Sequence, residues 1–190
     1  VLYIHWGQEY KLQPNASQQA MAQRICDLGV DVIIGGHPHV VEPIELLEST
    51  VDPNHRTVCL YSMGNAVSNQ RKEEMQQSEP TGHTEDGVLF CVTFAKYSDG
   101  SVFVDSAELI PTWVNMHANS GATEYNILPL EEATAAQWQA QFGLTDTQLA
   151  NAKASFDRTQ ALTLTGMEKV QSYLAQQKQP QENLPLDNAA

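Results

Sequence analysis

At 190 residues, 42% of them hydrophobic, the chain is long enough to bury the core of one domain, or of one domain with an appendage. The longest apolar runs, 32–34 and 88–92, are far too short to span a bilayer. A formal net charge of −13 repels phosphate backbones and argues against nucleic acid as a partner, whereas an anionic substrate still fits if bound cations reverse the field locally.

The chain opens at Val1, inside an apolar run, with neither Met nor signal peptide, and is expected to be a fragment of a longer protein. Residues 1–4 read as a buried strand that stops at His5-Trp6-Gly7. A helix is expected over 15–28. Asn15 and Gln18 form a capping-box pattern, Met21, Ile25 and Leu28 share one face, and Gly29 is the stop. Residues 30–34 form a second strand ending in Gly35-Gly36. Strand, helix and strand in this order make a βαβ unit with parallel strands. A third strand, 57–61, ends in Ser62-Met63-Gly64-Asn65. Residues 70–86 carry many charges and few apolar positions, so they are expected to be a mobile loop. Strands 88–96 and 101–110 are joined through Asp99-Gly100, a hairpin signal. Beyond Pro111 the pattern reads as helical, with capping boxes at Thr145/Gln148 and Thr165/Glu168. Met167, Val170 and Leu174 make an apolar stripe, and the Gln- and Pro-rich tail from 176 is expected to fray. Cys26, Cys59 and Cys91 lie in apolar runs without paired or metal-type spacing and read as buried free thiols.

In a parallel α/β sheet, ligands bind at the edge formed by the strands' C-terminal ends. His5 ends the first strand, and His37 and His39 follow the second, so the βαβ connection brings three imidazoles to one edge. Pro38 favours an extended His37, which would place His37 and His39 on one face, with Gly35 and Gly36 allowing a tight turn beneath. Neutral imidazoles suit zinc, iron and other first-row metals, and His5, His37 and His39 are the expected metal ligands. His55, His83 and His117 read as solvated. Glu9 reads either as a general acid/base or ligand-orienting carboxylate, or as a solvated loop acid. Asn65 reads as a pocket-lining, substrate-binding residue or as a plain turn residue, and Trp6 as a further substrate-binding candidate. Glu42 and Glu45 are expected at the surface; Trp113 and Trp138 are expected to pack.

Gly36-His37-Pro38-His39-Val40 matches the Gly-His-x-His motif of calcineurin-like metallophosphatases. His5-Trp6-Gly7-Gln8-Glu9-Tyr10, the run from Gly35 through Glu45, and Tyr61-Ser62-Met63-Gly64-Asn65 together resemble the CapA family. This is the capsule and poly-γ-glutamate synthesis branch of that superfamily. Residues 111–114 and 125–129 also resemble its later segments. The resemblance implies an α/β fold: residues 1–130 as the C-terminal part of a four-layer αββα sandwich, with 131–190 a helical extension. It further implies two divalent transition metal ions in the complete domain, one held by His5 and His37 and the other by His39. Glu9 and His37 would then carry the catalysis. The implied activity is metal-dependent, phosphoesterase-like hydrolysis in capsule or cell-envelope polymer synthesis, on an anionic polymer or phosphoester. The implied location is the cell surface, with a membrane anchor outside this chain. The superfamily's acidic ligands come from motifs preceding the His-Trp-Gly segment, so residues 1–190 alone are expected to be inactive. Another class of reading is a non-catalytic module binding a polyanion or partner at the same edge. A third makes the domain purely structural.

Overall fold

A computed structural model describes residues 1–131 and 135–181. Strand β1 (Leu2–His5), helix α1 (Ala16–Asp27) and strand β2 (Val32–Gly36) form the expected βαβ unit, with β1 and β2 parallel and His5 in register with Gly36. The α1 capping box is present in both directions, Gln18 N to Asn15 Oδ1 at 2.9 Å and Asn15 N to Gln18 Oε1 at 3.0 Å. Its buried face differs from the expected one. Met21 and Leu28 are exposed, and Gln18, Ala22, Ile25 and Cys26 point inward, because Gln18 bonds a buried carboxylate beneath the helix.

Strand β3 (Val41–Glu48) was not expected. It turns back antiparallel to β4 (Arg56–Met63), giving the sheet order β1-β2-β4-β3. Pro43 masks it in the sequence. On an edge strand a proline is tolerated because one side makes no ladder bonds. Pairing resumes on either side of it, Glu42 with Ser62 and Ile44 with Leu60.

The second sheet is wholly antiparallel: β5 (Asp86–Lys96), β6 (Val102–Asn119) and β7 (Ala122–Pro129). The hairpin at Asp99-Gly100 forms as expected, with the Gly100 N–H 2.9 Å from the Tyr97 carbonyl. The helical reading beyond Pro111 is corrected, since β6 runs on to Asn119 and β7 follows. Pro111 is in register with Val88 of β5, and on its other side the Pro111 carbonyl accepts from Leu130 N at 2.7 Å; the β6–β7 ladder begins at Thr112, so the proline's missing N–H breaks no ladder bond there. A bridge between Gly64 and Gly87 links the two sheets.

Helix α2 (Ala135–Phe142) seats Trp138 in a cluster with Trp113, Leu128 and Leu144, so both tryptophans pack as expected. Helix α3 (Asp146–Gln181) starts at the expected Thr145/Gln148 box. It runs straight through Thr165 and Glu168, where a second cap was expected, because the apolar stripe continues without a break. Met167, Val170 and Leu174 share one core with Val41, Ile44, Val58 and Leu60 of the first sheet and Val88 and Ala107 of the second. A Cβ on Gly166 would lie 1.8 Å from the Ile44 carbonyl oxygen, so only glycine lets α3 lie this close to β3. The tail expected to fray from 176 instead continues α3 as far as Gln181, and the rest of it lies outside the described residues. Among the described residues, no helix is long and apolar enough to cross a membrane.

The 70–86 segment lacks regular structure apart from a 3₁₀ turn, His83–Glu85, but it is not the loose loop expected. Arg71, Glu79, Thr84, Glu85 and Asp86 are buried. Arg71 pairs with Glu85 at 3.0 Å and donates to the Val114 carbonyl, and Trp113 Nε1 donates to Glu85 at 3.0 Å. Arg158 of α3 grips Asp86 with two bonds of 2.8 and 2.7 Å. Four of the charges that were expected to lie on a mobile loop, Arg71, Glu79, Glu85 and Asp86, are buried, while Glu73 and Glu74 are exposed. Of the cysteines, Cys26 and Cys59 are buried as expected, whereas Cys91 is exposed because its position on β5 faces away from the core.

Candidate functional site

The chain segments leaving β1 and β2 stay side by side. Trp6 N bonds the Gly36 carbonyl at 3.1 Å and Tyr10 N bonds the Pro38 carbonyl at 2.8 Å. This pairing sets His5 and His37 with ring centroids 4.4 Å apart, and His37 and His39 6.2 Å apart. All three imidazoles therefore meet at the C-terminal edge of the parallel strands. They form a row rather than a ring, and among the described residues no three or more His, Cys, Asp or Glu side chains group closely enough to hold one ion. An open cavity of ≈ 420 Å³ borders the row at His5, Trp6, Gly7 and Gln18.

The backbone geometry corrects two expectations. His37 is not extended: its φ is +102°, and that of His39 is +60°. Side chains with a Cβ rarely hold such angles, which cost of order 1–3 kcal/mol each and cluster at functional sites. Tyr10, at φ +62°, is a third such residue at the same edge. Gly35, for its part, serves close approach rather than a turn. A Cβ there would lie 1.9 Å from the Tyr61 carbonyl oxygen and 2.5 Å from Trp6 Nε1.

Asn65 fixes the state of His39. Its Nδ2 lies 3.1 Å from the His39 carbonyl, 2.9 Å from Gln70 Oε1 and 3.0 Å from the Thr84 carbonyl, all acceptors, so this end of the amide is the donor. Oδ1 then accepts, and His39 Nδ1, 3.0 Å away, must donate to it. Neutral His39 thus keeps its proton on Nδ1 and turns a bare Nε2 lone pair outward. Glu9 Oε1, half exposed, stands 3.9 Å from that Nε2. Trp6 forms a wall: Nε1 donates to the Tyr61 carbonyl at 2.8 Å and its ring stacks on Tyr61.

Two residues at this edge escaped the sequence reading. Tyr10 stacks on His39 with centroids 6.0 Å apart, and Gln70 donates to the Tyr10 hydroxyl at 3.1 Å while accepting from Asn65. No periodicity or spacing pairs positions 10 and 70; only the fold does.

Glu42, expected at the surface, is fully buried. Gln18 Nε2 donates to Oε2 at 2.7 Å, Oε1 has no partner, and burial pushes the carboxyl up to about 7. Glu45 is exposed as expected and accepts from the Tyr61 hydroxyl. The other histidines are not simply solvated. His55 lies 3.2 Å from the Val30 carbonyl, His83 sits half-buried against Glu79 with its pKa lowered by burial, and His117 pairs with Glu124 at 3.6 Å. Each is held by neighbours brought in by the fold.

The fold and this edge define a class: a mixed α/β protein with an imidazole-lined site at the C-terminal ends of parallel strands. Within it, residues 1–70 match the family model of the bacterial capsule synthesis protein PGA_cap. Over 70 residues the chain is 46% identical to the PGA biosynthesis protein CapA of Bacillus subtilis (strain 168), covering 37% of this chain and 17% of that relative. It is 36% identical over 70 residues to the capsule biosynthesis protein CapA of Bacillus anthracis, covering 37% of this chain and 15% of that protein. The chain therefore aligns with less than a fifth of either relative's length. The CapA resemblance is carried by this N-terminal part, which includes His5, Glu9, His37, His39 and Asn65 and stops short of 111–114 and 125–129.

The donor chemistry fits a metal in part. His5 and His37 adjoin, and His39 offers an unprotonated Nε2 toward a carboxylate. The row supplies neutral donors with Glu9 beside it, which suits a first-row ion but does not by itself close a two-ion cage.

Proposed function

We propose that this chain carries the histidine half of a metal-dependent, phosphoesterase-like hydrolase site that acts in capsule or poly-γ-glutamate synthesis at the cell surface. In this reading the two sheets and their helices are part of a four-layer metallophosphatase-like sandwich, and a membrane anchor lies outside the chain. The observation that carries it is the convergence of His5, His37 and His39 on one edge, within the segment that matches the capsule synthesis family.

His5 and His37 would hold one ion and His39, through Nε2, a second. Bound divalent ions would supply Lewis acidity at a phosphoryl oxygen and a more acidic water. The chain's own residues do the rest. Asn65 keeps the His39 proton on Nδ1, and the strained backbone at positions 37 and 39 presents both rings from one short turn. Glu9 stands where it can take a proton and hold it near His39, and Trp6 walls the cavity beside His5. The substrate would be an anionic polymer or phosphoester. The non-catalytic reading, a polyanion- or partner-binding edge, is favoured by one observation: among the described residues no three donors converge on one point.

Bringing two dications to about 4 Å costs about 16 kcal/mol at an effective dielectric near 20, so a closed pair needs carboxylates that this row does not supply. Calorimetric zinc titration and hydrolysis of a generic phosphodiester test the reading. The 190-residue chain should bind at most one ion weakly and turn over little. A longer form with upstream acidic ligands should bind tightly, and His37→Ala or His39→Ala should weaken it at least about tenfold. Two tightly held ions and full turnover in the 190-residue chain would refute the ligand assignment. Tight polyanion binding without hydrolysis by the longer form would favour the alternative.

A further inference from the structure

The bond from Asn65 to His39 is one link of a larger closed circuit. Starting from the ring, Nδ1 meets Asn65 Oδ1, Asn65 Nδ2 meets Gln70 Oε1, Gln70 Nε2 meets the Tyr10 hydroxyl, and the Tyr10 ring stacks back on His39. A backbone bond from Tyr10 N to Pro38 O ties the two loops together. The Asn65 Nδ2 group is fully engaged by three acceptors, and Tyr10 holds a left-handed backbone angle that tyrosine rarely adopts. Asn65 N also bonds the Asp86 carbonyl at 3.1 Å, which connects the circuit to the Arg158–Asp86 pair.

We propose that Asn65, Gln70 and Tyr10 form a positioning lock on His39: Asn65 selects its tautomer, and Gln70 with Tyr10 fixes the plane of its ring. The proposal rests on the metal-site reading for its purpose, but its geometry stands apart from it. A ring with two rotatable bonds and two tautomers presents its lone pair in several directions. The lock leaves one of them, which is what a ligand histidine requires of its surroundings. Asn65, which touches His39, and Gln70, which touches Asn65 and Tyr10, are accordingly positioning residues.

Ring-nitrogen NMR of the metal-free protein near pH 8 reads the tautomer directly and needs no activity. His39 should show a single Nδ1–H form in the wild type and a mixture in Asn65→Ala. Zinc affinity of Asn65→Ala should fall about ten- to a hundredfold. Tyr10→Phe keeps the stack and should stay within about threefold of wild type, whereas Tyr10→Leu and Gln70→Leu should each lose about tenfold. Circular dichroism checks that each variant is folded, and the Tyr10 pair carries the test if Asn65→Ala is not. A pure Nδ1–H His39 in folded Asn65→Ala, or equal affinities for Tyr10→Phe and Tyr10→Leu, would overturn the lock. A longer form with upstream acidic ligands that shows one His39 tautomer but takes up no zinc would instead support the lock and sink the metal reading.

Discussion

At the histidine edge His5 is exposed, Glu9 stands half in solvent, and three non-glycine residues hold left-handed backbone angles. In the 71–86 segment, reached from that edge through Asn65 and Gln70, Glu85 and Asp86 are buried, and Arg71 of the segment itself and Arg158 of α3 neutralise them. Both regions are polar and irregular, and by composition alone the 71–86 segment would be the more mobile. The difference lies in where the polar groups spend their bonds. In the 71–86 segment they bond to one another and hold the fold. At the edge the histidines sit at the open end of the sheet, two of them on strained backbone.

Breaking the buried region should have the largest effect. Arg71→Met leaves Glu85 buried without its cation and should cost about 3–5 kcal/mol in a urea unfolding titration. A loss under about 1 kcal/mol would mean that the pair is solvated and the segment is loose after all.

Glu42 lies between the two cases, a buried carboxylate with one idle oxygen beside Gln18 of α1. Its folded pKa of about 7 is raised from 4.5, so the folded state binds the extra proton. Stability from this group is full below about pH 4.5, falls as pH rises, and is lost above about 7. Glu42→Gln should therefore match wild type at pH 4 and exceed it by roughly 2–3 kcal/mol at pH 8.5. Parallel pH profiles of the two proteins would show that Glu42 is relieved by a partner such as water.

The smallest effect sharpens the contrast at the edge. His37→Gly removes a Cβ from φ +102° and should raise stability by about 1 kcal/mol while lowering zinc affinity. Loss of both stability and affinity would mean that the His37 side chain, not its strain, holds the turn.

Legibility followed the range of the interactions. The βαβ unit, the α1 and α3 caps, the Asp99-Gly100 hairpin and the meeting of His5, His37 and His39 were readable because each rests on neighbours within a turn, or on a parallel connection whose hand and edge are forced. Pro111 misled the reading, since a proline marks a break unless its missing N–H falls where no ladder bond is needed, and only the assembled sheet shows where that is; β3, which holds Pro43, was not anticipated at all.

What the sequence determined alone was therefore the parallel unit and the edge on which its histidines fall. The tertiary structure decided that His37 and His39 bend into left-handed backbone, that His39 is gripped by Asn65 and Tyr10, and that the charges of 71–86 turn inward. Those outcomes depend on partners such as Val114 and Arg158, tens of residues away along the chain. A charged side chain carries no local sign of whether its counter-ion will arrive, and burial becomes tolerable only once it does.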